Sequence, residues 1–230
     1  MRAFLNFRAF VSTKHFNAYQ PARATVPKPS KTDFFIVVSF VKNFVLNEHL
    51  ALKGISYTIN KGEIVGFLGP NGAGKSTTLR ILTCYFNPTS GDAIIDGKSI
   101  LDEENNVKKI IGYLPESAPL YNDMCVFDYL VYMADIQELE RSKLNERLHY
   151  VVNVCGLKEV ISKPIGELSK GYKQRVGLAG AIIHDPKILI LDEPTNGLDP
   201  NQIVEIRELI KELGKEKTVL VSTHILSEVE

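Results

Sequence analysis

The sequence predicts an α/β fold: a mainly parallel sheet, an antiparallel β element beside it, and a helical lobe inserted into the core. Three observations carry that prediction. Short continuous apolar runs at residues 64–68, 188–191 and 218–222 have the length and composition of buried parallel strands. Between them apolar residues recur at three- and four-residue spacing, so strands alternate with helices. From about residue 117 to 165 the pattern is helical with no strand candidate, which places an inserted lobe over about 117–184.

At 230 residues the chain can bury one substantial core, or one core and a small lobe. Its 27 basic and 27 acidic residues cancel, which argues against a global basic face, and no direct nucleic-acid partner is expected. Cys84, Cys125 and Cys155 lack CxxC or Cys/His ligand spacing and read as reduced, mostly buried small residues. No apolar run approaches the roughly 18–20 residues that cross a bilayer, so a role at a membrane would pass through a spanning partner.

Residues 1–33 carry Arg2, Arg8, Lys14, Arg23, Lys28 and Lys31 against a single acid, Asp33, with Pro21, Pro27 and Pro29. They read as a flexible basic leader ahead of a domain at 34–230. A targeting presequence, with Phe4, Leu5, Phe7, Phe10 and Val11 on a membrane surface, is the other reading. Residues 35–44 are β-branched and aromatic and predict a strand; a second, 55–59, runs into the turn Asn60-Lys61-Gly62, after which 63–68 form the next. A helix bearing Leu79, Ile81 and Leu82 follows, then a loop from Asn87 to Gly91 and a short strand at 92–96 turned by Gly97.

Residues 109–114 predict another strand, closed by Pro115. In the lobe, Phe127, Leu130, Val131 and Ala134 share one helical face, and Leu144, Leu148, Val151, Val152 and Cys155 share another. Cys125 stands where Thr or Ser would cap better, which predicts a weak start to the first lobe helix. Ser169 is the N-cap candidate of a helix burying Val176, Ala179, Ile182 and Ile183. Ile203, Ile206, Leu209, Ile210 and Leu213 make a further apolar helical face, ended by Gly214.

The chemistry concentrates in Gly69, Pro70, Asn71, Gly72, Ala73, Gly74, Lys75, Ser76 and Thr77, a GxxxxGK[ST] string between a strand and a helix. Its glycines let the backbone approach a polyphosphate while N–H groups of the loop and first helical turn converge on the oxygens. Lys75 is expected to reach the β and γ phosphates, Ser76 to place its hydroxyl on Mg²⁺, and Thr77 to add a hydroxyl nearby. Asp192 ends an apolar strand and is expected to hold Mg²⁺; Glu193 is expected to orient and polarise the attacking water as general base. His224, past residues 218–222, is expected to contact the γ-phosphate. A strand-end charge cluster and a surface histidine are the plain alternatives. Gly171 would permit close approach of a ligand to the helix that Ser169 opens.

Together these motifs resemble the ATP-binding cassette (ABC) ATPases over residues 36–230. GPNGAGKST is the Walker A form, LSKGYKQR the signature, ILILDEP Walker B, GLDP the D-loop, and STH carries the switch histidine. The resemblance implies a P-loop NTPase core and a Mg²⁺-dependent ATPase. It implies an aromatic stacked on adenine, for which Phe44 is the best match and Tyr57 stays open. Ser169 and Gly171 would complete the ATP site of a second copy, and Asp199 with its neighbours would bridge the two sites, so that two ATPs lie between two head-to-tail cassettes of a homodimer. A separate transmembrane permease subunit would hold the pair on the cytoplasmic side of the cell membrane. GYLPE before PLY, and LSKGY, look most like the ATPases of bacterial ABC-2 type exporters. A non-transport ABC ATPase of translation or DNA repair, or a fragment with impaired catalysis, is the alternative.

Three departures stand out. Glu116 occupies the place of the family's usual glutamine, which reaches Mg²⁺; a carboxylate there can accept from a metal-bound water but adds negative charge near Asp192 and Glu193. Lys170 replaces the first glycine of the commonest signature. The sequence stops six residues past His224, where the resemblance implies a further helix and strands, so the C-terminal part is expected to be truncated.

Overall fold

A computed structural model describes residues 7–11, 35–44 and 49–224, and the chain divides into two units, residues 1–108 with 218–230, and residues 109–217. In the first unit the two-residue period of the early strands builds an antiparallel sheet. Strand β1 (Phe7–Val11) precedes it; β2 (Phe35–Phe44) pairs along β3 (His49–Asn60). Next come β4 (Ile64–Leu68), helix α1 (Lys75–Leu82), and β5 (Ser90–Ile95) with β6 (Lys98–Ser99), giving the sheet order β3-β2-β5-β6. Ile36 lies opposite Ile59 and Ile95, and Val38 opposite Tyr57 and Ala93. All six side chains are buried, because alternate residues of each strand point to the same face. On the other face Ser56 donates to Ser39 at 3.2 Å. Asp96 and Gly97, both at positive φ, close the β5–β6 hairpin in the twist-matched two-residue manner.

Two strand expectations change here. The expected strand 55–59 is only the second half of β3, whose first half pairs with residues 42–44 across register shifts after Phe40. Lys53-Gly54 looks like a turn locally, and the pairing partner overrides it. Within the expected leader, Phe7–Val11 pairs in parallel with β4, from Phe7 opposite Ile64 to Val11 opposite Leu68. Residues 1–6 and 12–34 lie outside the description.

The turn into β4 is held by Glu63, whose carboxylate accepts from the Asn60 backbone N–H at 2.9 Å and side-chain amide at 2.8 Å. Helix α1 buries Leu79, Ile81 and Leu82 and packs on β3. The short helix α2 (Glu104–Lys108) closes this part of the unit, with Val107 inward.

The second unit pairs β7 (Ile111–Leu114) in parallel with β8 (Ile188–Asp192), and every residue of β8 is buried. Between them come α3 (Val126–Ile136), α4 (Arg141–Val154), a 3-10 turn at Ile165–Glu167 and α5 (Lys170–Ile182), with no intervening strand among the described residues. The buried face of α3 is Val126, Tyr129, Leu130 and Ala134, whereas Phe127, expected inward, is 48% exposed. Cys125 at its N-cap makes no side-chain cap, as its chemistry implies. Arg147 of α4 donates to the Ile182 and Ile183 carbonyls at 2.8 and 3.0 Å, satisfying acceptors that the end of α5 leaves open. After β8, α6 (Pro200–Leu213) buries Ile206, Leu209, Ile210 and Leu213. The chain then returns to the first unit as β9 (Thr218–Thr223), parallel to β4 from Ile64 opposite Val219 to Leu68 opposite Thr223. Cys84 and Cys155 are buried, Cys125 half-buried, and all three are free thiols.

Candidate functional site

In the first unit the glycine-rich segment leaves β4 at Leu68 and enters α1 at Lys75. Gly72 and Gly74 have φ of 78° and 91°, a region that costs a side-chain-bearing residue about 1–2 kcal/mol. The loop is pinned by the Gly69 N–H donating to Thr223 O at 3.3 Å and the Ala73 N–H donating to Pro70 O at 3.1 Å. Its N-cap, Gly74, has no side chain, so no side-chain cap occupies the first-turn N–H groups of α1. Pro70, Asn71 and Gly72 are exposed, while Ser76 and Thr77 are half-buried. Lys75 is 6% exposed, and its ammonium donates to Gly69 O at 2.7 Å and Pro70 O at 3.5 Å. Uncapped N–H groups, an ammonium held within the loop and hydroxyls on the first turn form a donor set that fits a polyphosphate.

Phe44 ends β2 opposite His49, and its side chain lies outside the description. The alternative, Tyr57, is core: it is 7% exposed, its ring centroid lies 5.8 Å from that of Phe67, and burial pushes its hydroxyl far above the ordinary tyrosine range. It has no face to offer a base. His224 follows β9 in an exposed bend.

In the second unit β8 delivers Asp192 and Glu193, 1% and 7% exposed. Glu193 has φ of 47°, a left-handed conformation that an acyclic L-residue holds only when its surroundings impose it. The turn after it is closed by the Asn196 N–H donating to Glu193 O at 3.1 Å. Glu116 is exposed and accepts from the Asn196 side-chain amide at 2.7 Å, so its carboxylate is tied to that turn. Sequence reasoning did not single out Asn196; its position three residues past Glu193 was the available signal. Among the described residues no group of three or more His, Cys, Asp or Glu could hold a metal ion. Within this unit Asp192 and Glu116 are carboxylates of the kind that can hold Mg²⁺, an ion that commonly takes its other ligands from phosphate and water.

The signature segment and the D-loop meet within this unit. Ser169 caps α5, accepting from the Tyr172 N–H at 3.4 Å, as expected from sequence. Asp199 caps α6, accepting from the Gln202 N–H at 3.0 Å, with Pro200 opening the helix. The two N-termini border a cleft of about 700 Å³ that Ser169, Gly171, Asp199 and Gln202 help to line. The face of Gly171 expected to admit a ligand is covered by Gln202 of the same chain: a Cβ at Gly171 would stand 2.7 Å from Gln202 Cδ. Gln202 escaped sequence reasoning, since nothing local marks a residue whose contact is made across two helices.

Comparison with known proteins adds an independent line. A family model described as ABC transporter matches residues 52–196. The ABC transporter ATP-binding protein YxlF of Bacillus subtilis (strain 168) is 41% identical over 182 residues, covering 79% of this chain and 60% of its own length. The bacitracin transport ATP-binding protein BcrA of Bacillus licheniformis is 40% identical over 178 residues, covering 76% of this chain and 57% of its own. The chain thus spans somewhat over half the length of these relatives. Among solved structures, the ATP-binding cassette MJ0796, a dimer in a post-hydrolysis state bound to ADP and Pi, has a TM-score of 0.74 at 27% identity, over 85% of this chain and 90% of that one.

Proposed function

Because the chain belongs to the ABC transporter family, we propose that it binds ATP with Mg²⁺ and hydrolyses it to energise a membrane transporter of the ABC-2 exporter type. The observation that carries this is the loop from Gly69 to Thr77, with Lys75 held inside it and α1 left uncapped. Residues 34–230 act as the nucleotide-binding domain, with 117–184 as its signature lobe.

ATP is the substrate whose terminal phosphoanhydride is cleaved, and Mg²⁺, when bound, would offset the charge on its terminal oxygens. The chain's own groups do the rest. Lys75 exchanges a loop carbonyl for phosphate oxygen, and the first-turn N–H groups of α1 hold the phosphate next to it. Ser76 and Asp192 would hold the metal, with Glu116 contributing its carboxylate there, and Thr77 adds a hydroxyl beside the phosphates. Glu193 accepts a proton from the attacking water at its carboxylate, and His224 holds an oxygen of the terminal phosphate. Phe44 stacks on adenine. Ser169 through its hydroxyl, and Gly171 through its backbone N–H since Gln202 covers its Cα face, close the nucleotide site of a second copy, in a head-to-tail homodimer that works on a separate permease subunit at the cytoplasmic face. The dimeric MJ0796 cassette and the transport role in the name of BcrA support this reading. No helix among the described residues is long and apolar enough to cross a membrane, which fits motion passed to a spanning partner.

The test is light scattering behind size exclusion on Glu193→Gln, with and without ATP and Mg²⁺, alongside turnover of the parent. Pairing only with ATP, and turnover lowered by about 10²–10⁴-fold with ATP binding retained, is expected. ATP affinity collapsing together with turnover would refute the role given to Glu193.

A further inference from the structure

The signature and D-loop segments of one chain are interlocked through each other's glycines. Lys170, the first residue of α5, lays its side chain against Gly197, whose φ of 69° is left-handed; a Cβ there would clash with the lysine ammonium. In the opposite direction Gln202, in the first turn of α6, lays its amide on Gly171, where a Cβ would meet Cδ at 2.7 Å and Nε2 and Oε1 at 2.9 Å. A third tie lies one turn farther along both helices: Arg175 Nη2 pairs with Glu205 Oε2 at 2.6 Å.

Lys170 and Gln202 do not hold by hydrogen bonding, since neither side-chain head makes a hydrogen bond or ion pair among the described residues. Their effect is excluded volume. Each occupies space that only a glycine leaves open, so a slide of turn 197–199 along the N-terminus of α5 would have to move these side chains, a bias on the register rather than a lock, since both ends are flexible and Lys170 is exposed.

We infer that Lys170 and Gln202 are positioning residues that register the Gly197–Asp199 turn on the N-terminus of α5, so that both edges assigned above to a second copy are presented as one block. The inference rests on the proposed pairing of two copies. It also accounts for the signature departure: a lysine at position 170 has the reach to cover Gly197, which a glycine lacks.

The test uses the Glu193→Gln chain, reading the ATP concentration at half-maximal pairing by light scattering, with Tm and binding of a fluorescent ATP analogue to the single chain as controls. Lys170→Ala and Gln202→Ala should each raise the pairing midpoint about fivefold, and the double variant should be little worse than either single, because both changes open the same contact. Gln202→Met, which keeps length without the polar head, should restore the parent midpoint, and Lys170→Met, one atom shorter but still reaching Gly197, should restore most of it. Tm and single-chain nucleotide binding should stay put. Alanine variants that pair at the parent midpoint, a double variant equal to the product of the singles, or pairing lost only in step with Tm would each overturn the inference while leaving the proposed function intact. A parent chain that never pairs with ATP would overturn both.

Discussion

Arg175 and Glu205 join α5 to α6 through a 2.6 Å ion pair, while the other arm of the same guanidinium donates to Cys155 O, at the end of α4, at 3.1 Å. One side chain thus fixes three helices. Arg175→Ala should cost about 2 kcal/mol, chiefly because the Cys155 carbonyl loses its charged donor in a partly buried place. Arg175→Lys should recover less than half of that, since an ammonium lacks the wide planar fork with which the guanidinium reaches both acceptors at once. Urea unfolding of the three proteins measures it.

His184 gives the second prediction. Burial pushes its imidazole from the ordinary 6.5 down to about 4, opposed by its bond to Ile111 O at 3.2 Å and helped by Lys217 and Arg147. Its Nδ1 is buried and makes no hydrogen bond to any of the described residues. Between those two values the unfolded chain takes up a proton that the folded chain refuses, so stability falls as pH drops through that window, by up to roughly 3 kcal/mol. Asp185 does not add to the slope there. Burial tends to raise its carboxyl, but Lys217 and Arg147 outweigh that and hold it below the ordinary range, so its contribution is lost only at lower pH. His184→Gln should flatten the urea midpoint between neutral pH and about pH 4.5.

Glu138 ends α3 in a left-handed conformation, φ 54°, with the Leu139 N–H donating to Ala134 O at 2.9 Å and its own N–H to Asp135 O at 3.0 Å. That is the geometry in which helices usually place glycine. Its ion pair with Lys109 is exposed on both sides, so solvent screens it and leaves it little net effect on stability. Relief of backbone strain therefore wins, and Glu138→Gly should raise stability by about 0.5 kcal/mol, net of the extra freedom of the unfolded chain. Thermal melts should show a small rise in Tm.

Glu116→Gln keeps an oxygen for the Asn196 amide, so the 2.7 Å bond survives and the fold should be unaffected. What changes is one negative charge in the region assigned to the metal. The Mg²⁺ concentration for half-maximal ATP hydrolysis should rise about fivefold, equivalent to ~1 kcal/mol for one exposed charge. Titration of hydrolysis against Mg²⁺ at fixed ATP reads it, and an unchanged midpoint would remove Glu116 from the metal.

The parts legible in the sequence are those whose cause is local. The loop from Gly69 to Thr77 declares itself because every group it needs is contiguous, and β8 because burial on both faces leaves an unbroken apolar run. Ser169 was legible as a cap because capping is set within one helical turn. What escaped depends on partners distant in the chain. The first half of β3 forms because residues 42–44 lie beside it, and β1 because β4 does. Tyr57 could not be assigned to core or ligand until Phe67 was seen against it, and Gln202 could not be connected to Gly171 until α5 and α6 were packed.

The left-handed backbone at Glu193 sets two kinds of selection against each other. Glycine, or to a lesser degree asparagine, would relax that residue by about 1 kcal/mol, and neither carries a carboxylate. Under the base role proposed for Glu193, selection for resistance to heat would favour relaxing that backbone at the expense of the carboxylate, whereas selection for turnover would retain the strained residue and forgo that margin.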